Sequence, residues 1–240
     1  MEHTVAMQRA IALAEKGLGK TAPNPIVGAV IIDSTGNVVG EGFHDRVNSP
    51  DHAEVVAIKA AGIKAKGATI VVSLEPCNHT GSTGACVQAI IDAGITTVVY
   101  AVSDPNEKAA GGADALRAAG ITVIEGVLKD EAAFSNRAWL MKIKKNRPFF
   151  TWKVAATLDG KVAAADGTSK WITNETSRGD VQILRRQADA ILVGTNTVIT
   201  DNPHLIPRGE FAGYAGNPIR VICGEQELPK DSAVFDSAAQ

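Results

Sequence analysis

Long apolar runs, disulfide-like cysteine spacing and an excess of charge of either sign are all missing from this chain. Three cysteines in 240 residues are too few for a disulfide framework. No apolar run approaches the ~18 residues that a membrane span needs, so no membrane partner is expected. A formal net charge of −2 leaves no global field to draw the chain onto nucleic acid or an anionic surface. The one basic cluster, Lys142, Lys144, Lys145 and Arg147, reads as a solvated helix end or linker. A secretory leader is not expected either, because Glu2 comes early and Gln8 and Arg9 interrupt the apolar residues around them. What is present is an ordinary globular composition, 45% hydrophobic and 21% charged. That is enough chain to bury a core in one large domain or two modest ones. A reducing cytoplasm, which keeps thiols free, is the expected setting.

Hydrophobic periodicity orders the elements. Met7, Ile11, Ala14 and Leu18 predict an opening helix that ends near Gly17. Pro23-Asn24-Pro25 forbids helix, and Ile26 to Ile32 and Val38 to Phe43 then predict two strands about a turn at residues 33–37. Beyond this hairpin the pattern alternates, with helices at 52–61, 84–93 and 112–119 and strands at 69–74, 97–102 and 121–124. A hairpin followed by strand–helix repeats predicts an α/β fold, a mixed sheet with helices on both faces. One more helix, at 129–146, is stopped by Arg147-Pro148, so a domain boundary is expected there: 1–146 and 147–240. In the second domain, strands are predicted at 149–157, 161–165, 190–193 and 219–223 and a helix at 174–188, with a loop after Thr197. Cys223, inside an apolar run, is expected as a buried thiol.

The chemistry concentrates in His52-Ala53-Glu54, followed by Pro76-Cys77 and then Cys86. One imidazole and two thiolates suit Zn2+, and three protein ligands leave a fourth position for a water whose pKa falls to roughly 7. Glu54, two residues past a ligand at a helix start, suits proton transfer beside the metal without ligating it. Zinc-dependent deaminases of nucleobases use this set. A closed structural zinc site needs a fourth protein ligand, for which His44 and His79 are the nearby candidates, and it has no use for Glu54.

Spacing narrows this further. Cytidine and nucleic-acid deaminases typically space their cysteines Cys-x-x-Cys, whereas eight residues separate Cys77 from Cys86. Ala22-Pro23-Asn24-Pro25-Ile26-Val27-Gly28, the run from Leu74 to Gly81 and Asp104-Pro105-Asn106 accompany that spacing. In the second half stand Lys153, Leu158-Asp159-Gly160-Lys161, Ser169-Lys170-Trp171-Ile172-Thr173 and Thr200-Asp201-Asn202-Pro203. Taken together, and nearly end to end, the chain resembles the bifunctional riboflavin-biosynthesis deaminase–reductases, the RibD family. The resemblance implies a cytidine-deaminase-like domain followed by part of a dihydrofolate-reductase-like domain. It also implies a substrate, a diaminopyrimidinone carrying a phosphoribosylamino group. The first domain exchanges a ring amine for a carbonyl oxygen; the second reduces ribosyl to ribityl with hydride from NADPH.

Carried over residue by residue, the resemblance makes His52, Cys77 and Cys86 the zinc ligands and Glu54 the proton shuttle. Asn24 and His44 fall where the family holds the pyrimidine and sugar phosphate. Ser169, Arg185, Leu205 and Arg208 match substrate contacts; Ala155, Trp171, Thr197 and Asp201 match NADPH contacts. Without the resemblance, Asn24 reads equally as a turn residue, His44 as a surface histidine, the arginines as surface charge and Trp171 as core. The chain departs from the family pattern in three places. Residues 45–51 are one longer than usual and lack a glycine; Ser82 stands for a usual cation and Gly84-Ala85 for a Pro-Pro pair. The sequence also stops at Gln240, before the glycine-rich loop that cradles cofactor phosphates. Reductase activity from this chain alone is therefore not expected, and apolar surface left by a partial domain favours association of copies. Two rivals stay open: a zinc deaminase of nucleosides or RNA bases, and a non-catalytic zinc-binding protein of the same fold.

Overall fold

Alternation along the central strands decides which helix lies on which side of the sheet. In the computed structural model, β1 (Gly28–Ile32), β2 (Val38–Phe43), β3 (Thr69–Leu74), β4 (Thr97–Val102) and β5 (Thr122–Glu125) form one sheet in the order β2-β1-β3-β4-β5. β1 runs antiparallel to β2 and β3, while β3, β4 and β5 are parallel. Successive side chains point to opposite faces. Ala29, Ile31, Ile70, Val72 and Val98 therefore meet α2 (Ala53–Ala61), α3 (Cys86–Asp92) and α4 (Gly112–Ala118). Val30, Ile32, Val71 and Val99 meet α1 (His3–Glu15), α5 (Lys129–Ser135) and α6 (Arg137–Lys145) on the other face. Each fully buried Val or Ile contributes roughly 1.5–3 kcal/mol.

α2 lies unusually close to β2. A Cβ on Gly42 would stand 2.4 Å from the Ala53 carbonyl oxygen, and one on Gly40 would stand 2.3 Å from that of Ala57. Ala53, Ala57 and Ala61 form the facing side of the helix. Only a surface of glycine opposed by alanine permits this approach.

The structure describes residues 2–79, 84–106, 109–212 and 216–236. Contacts divide the chain into Met1–Phe149 and Phe150–Gln240. The second unit pairs β6 (Ala190–Gly194) with β7 (Ile219–Cys223) in parallel. It adds α7 (Glu175–Gln187), whose start is capped by the Asn174 side chain accepting from Ser177 N–H, and α8 (Thr195–Asp201). Its core is small: Val198, Leu205 and Val234, with Ile191, Val193, Ile222 and Leu228 against them. Among the described residues no helix is long and apolar enough to cross a membrane.

Five expectations need correction. The helix at 129–146 is two helices, because Asn136 between them is buried, its side chain donating to Ile26 O and accepting from Ile26 N–H. Those same bonds keep Ile26 out of the ladder, so β1 starts at Gly28. Residues 149–157 and 161–165 are not strands. Their apolar alternation finds no ladder partner among the described residues, and the backbone closes turns instead, Thr157 N–H to Lys161 O and Ala164 N–H to Thr168 O. The chain after Thr197, expected as loop, continues as helix to Asp201 within Thr195–Asp201, held by the burial of Val198. Cys223 is exposed, since it ends a strand whose middle residues alone are partly covered.

Gly42→Ala tests the close approach. The added methyl meets backbone rather than a yielding side chain, so a loss of about 1–3 kcal/mol is expected as a lowered urea midpoint for the first unit. An unchanged midpoint would contradict the packing described.

Candidate metal centre

Two loops at the carboxyl end of the sheet carry the motif residues. His52 immediately precedes α2 in an extended conformation, and Glu54 lies in that helix's first turn. Cys77 follows β3, and Cys86 is the first residue of α3. The Cys77 carbonyl accepts from Val87 N–H, which ties the first cysteine to the helix that begins with the second.

The β3 loop is held by Glu75, to which the motif reading assigned no role. Its buried carboxylate accepts from two backbone amides, Asp104 N–H at 3.1 Å and Ala113 N–H at 3.0 Å. Gly112 packs directly beneath, where a Cβ would lie 1.8 Å from the Pro76 carbonyl oxygen. Such a clamp is hard to read in advance, because backbone amides carry no residue signature. The one hint was a carboxylate at the end of an apolar strand.

His52 Nδ1 lies 3.3 Å from Cys86 Sγ and 3.6 Å from Cys77 Sγ, and the three ligand atoms lie within 4.8 Å of one another. Tetrahedral zinc, with Zn–S about 2.3 Å and Zn–N about 2.0–2.1 Å, holds its nitrogen and sulfur ligands roughly 3.5 Å apart. The donor set and its spacing therefore fit zinc. His44 and His79 do not join the cluster. Both ring nitrogens of His44 are engaged: Nδ1–H donates to Asp51 O at 3.0 Å, and Nε2 accepts from the Asn24 amide at 3.3 Å. Among the described residues the centre offers three protein ligands and no fourth.

Electrostatics separates the roles. The Cys86 thiol donating to Cys77, with His52 beside it, holds Cys77 well below the usual thiol range. The same partnership with Cys77, followed by burial, pushes Cys86 upward. The hydrogen bond with Cys77 raises His52. Glu54, 3% exposed and outside the ligand cluster, is pushed up to about 7, first by burial and then by the Cys77 charge. A carboxyl poised near neutrality can both take and give a proton. Burial lowers His44, which keeps it neutral, and its ring meets that of His52 edge-on at 5.1 Å between centroids.

A cavity of about 360 Å³ opens beside this centre, lined by Asn24, His44, His52 and the segment Arg46-Val47-Asn48-Ser49-Pro50. Asn24 also closes a turn, its N–H donating to Thr21 O. Arg46 went unnoticed in the motif reading because a lone arginine in a polar loop looks like surface. Ser82 lies outside the described residues, and Gly84 and Ala85 lead irregularly into α3.

In the second unit the matched positions fall into three groups. Arg185 on α7 donates to Ile206 O at 3.1 Å, and Arg208 N–H donates to Gln182 on the same helix. Arg185, the buried Leu205 and Arg208 are thus brought together, and burial followed by the Arg208 charge lowers Arg185 from its ordinary value. Thr197 and Asp201 share a face of α8 at i and i+4. Ala155, Ser169 and Trp171 lie in the irregular stretch, where Trp171 is 71% exposed with the Arg178 guanidinium 4.5 Å from its ring centroid. A cavity of about 270 Å³ beside α8 is lined by Val198, Ile199, Asn202, Pro229, Asp231 and Ser232, none of them a matched cofactor position.

Cys86→Ser and His52→Ala each remove one of the three donors. Each variant is expected to lose stoichiometric zinc on dialysis, measured by elemental analysis; retention would show that the ligands lie elsewhere.

Comparison with known proteins agrees over the whole length. The family model described as the cytidine and deoxycytidylate deaminase zinc-binding region matches residues 1–102, and the one described as the RibD C-terminal domain matches residues 148–240. The riboflavin biosynthesis protein RibD of Mycobacterium tuberculosis is 47% identical over 98% of this chain and 70% of its own length. That of Aquifex aeolicus is 48% identical over 96% of this chain and 64% of its own. A Thermotoga maritima crystal structure of a diaminohydroxyphosphoribosylaminopyrimidine deaminase/5-amino-6-(5-phosphoribosylamino)uracil reductase superposes with a TM-score of 0.89 at 43% identity. It covers 99% of this chain, which in turn spans 68% of that one. Acinetobacter baumannii RibD gives 0.86 at 41% identity. A deaminase zinc-binding region followed by a RibD C-terminal domain, at this identity over almost every residue, places the chain in the RibD family of riboflavin biosynthesis.

Proposed function

We propose that residues 1–146 hydrolytically deaminate the diaminopyrimidinone that carries a phosphoribosylamino group, the first of the two activities named for the Thermotoga maritima relative. The observation that carries this reading is the pairing of a three-ligand His52-Cys77-Cys86 cluster with a buried Glu54 that stays outside it. Zinc bound there supplies the acidity that makes water nucleophilic near neutral pH. Glu54 accepts a proton from the attacking water and passes it to a ring nitrogen, then carries the proton of the newly added hydroxyl to the departing amine, so that the ring keeps the oxygen as a carbonyl and the amine leaves as ammonia. Asn24 and His44 line the cavity that faces the ligand cluster. His44, fixed as a neutral donor to Asp51 O, holds the Asn24 amide at a set angle, and the pair positions the pyrimidine and its sugar phosphate.

To residues 147–240 we assign the reductase-type positions: Ser169, Arg185, Leu205 and Arg208 toward substrate, Ala155, Trp171, Thr197 and Asp201 toward NADPH. The cluster of Arg185, Leu205 and Arg208 supports the first group, since paired guanidinium groups suit a phosphate. The irregular setting of Ala155, Ser169 and Trp171, the last two exposed, gives no support to the cofactor group.

Glu54→Gln is expected to keep zinc and fold while ammonia release from the phosphoribosylamino pyrimidine falls about 100- to 10,000-fold. Activity within a few-fold of the parent would remove Glu54 from the mechanism, and turnover of cytidine or RNA in place of that substrate would replace the reading. With NADPH in the same tube, ammonia release is expected without loss of absorbance at the nicotinamide band. Coupled NADPH oxidation would show that the second unit completes its site.

A further inference from the structure

The cavity beside the metal centre has a charge asymmetry that the deaminase chemistry does not use. Among the described residues that line it, Arg46 alone carries a fixed charge, and none is a carboxylate. The nearest acid in sequence, Asp45, is already committed: its Oδ2 accepts from Lys20 Nζ at 3.4 Å and from the Asn48 amide at 3.0 Å. Asp45 also anchors the turn itself, its carbonyl accepting from Asn48 N–H and Ser49 N–H. Arg46 therefore projects from a braced turn. One arm of its guanidinium is pinned, Nη1 donating to Ala22 O at 2.8 Å, and among the described residues no carboxylate pairs with it. A guanidinium has five N–H donors, so four remain for a ligand. Asn48 and Ser49 add polar groups on the same wall. His52, a residue of the candidate metal cluster, lines the same cavity.

We propose that Arg46 is a specificity-determining residue that binds the phosphate of the substrate's sugar while the base reaches the metal centre. This inference rests on the proposed deaminase reading for the identity of the substrate. The physical case is independent of that reading: a pinned guanidinium with no carboxylate partner among the described residues recognises an oxyanion bidentately, and phosphate is the oxyanion of a phosphoribosyl group. A lysine at this position keeps the charge and loses the fork.

The test compares zinc-loaded parent, Arg46→Ala and Arg46→Lys on the phosphoribosylamino pyrimidine and on the same compound after phosphatase treatment. Arg46→Ala is expected to lower the ratio of kcat/KM for the phosphorylated over the dephosphorylated compound by roughly 10- to 100-fold, mostly through KM, with Arg46→Lys in between. An unchanged ratio would overturn the inference. Ribose 5-phosphate titrated calorimetrically into the same proteins gives a readout that needs no turnover. Binding to the parent that weakens by a similar factor in Arg46→Ala supports the role, even where no ammonia is released and the deaminase reading itself fails. Equal binding by parent and variant, or none by either, would overturn it.

Discussion

The contact on which the rest depends is backbone against backbone: α2 pressed onto β2 at Gly40 and Gly42. Side chains on either surface would push the helix outward, and His52 and Glu54 ride on its first turn. A displacement of even an ångström there would carry the imidazole away from Cys77 and Cys86, which belong to a different part of the sheet. The position of the imidazole is thus set by packing that runs along the same helix, from Ala53 against Gly42 to Ala61 against Gly40. The residues responsible are the smallest in the chain and have no chemistry of their own.

A second brace works from the opposite side. Glu75 spends its whole carboxylate on two backbone amides, joining the loop after β3 to the start of α4, and Gly112 lets that helix come against Pro76. Cys77 stands two residues from this clamp, and its carbonyl caps α3 just where Cys86 enters. The triangle of His52, Cys77 and Cys86 is therefore held by the fold itself, as a pre-formed site requires. Placing Glu54 in the same buried pocket, near but outside the triangle, gives a carboxyl whose charge is costly and whose proton is mobile.

Much of this was legible in the residues. Zinc chemistry demands His and Cys at particular offsets, and it cannot be disguised by drift in the surrounding sequence; the five strands of the sheet follow from runs such as Thr69–Leu74 and Thr97–Val102 that alternate between two buried faces. What escaped was non-local. Asn136 looks like any helical asparagine until its side chain is seen replacing a strand partner for Ile26. The stretch 149–165 has strand-like alternation, yet alternation states only which face a residue would take if a neighbouring strand were present. Thr195–Asp201 has a poor helical composition, and tertiary burial of Val198 outweighs it. Arg46 gave no signal because its meaning lies in what does not surround it.

The central claim is that three protein donors hold the metal and leave one position open beside Glu54. X-ray absorption at the zinc edge of the loaded protein tests it directly. Two sulfur scatterers at about 2.3 Å, one imidazole nitrogen at about 2.0–2.1 Å and one further light atom that exchanges with added small ligands are the expected shell. A shell closed by a second imidazole and indifferent to added ligands would contradict the account, because the site would then be structural.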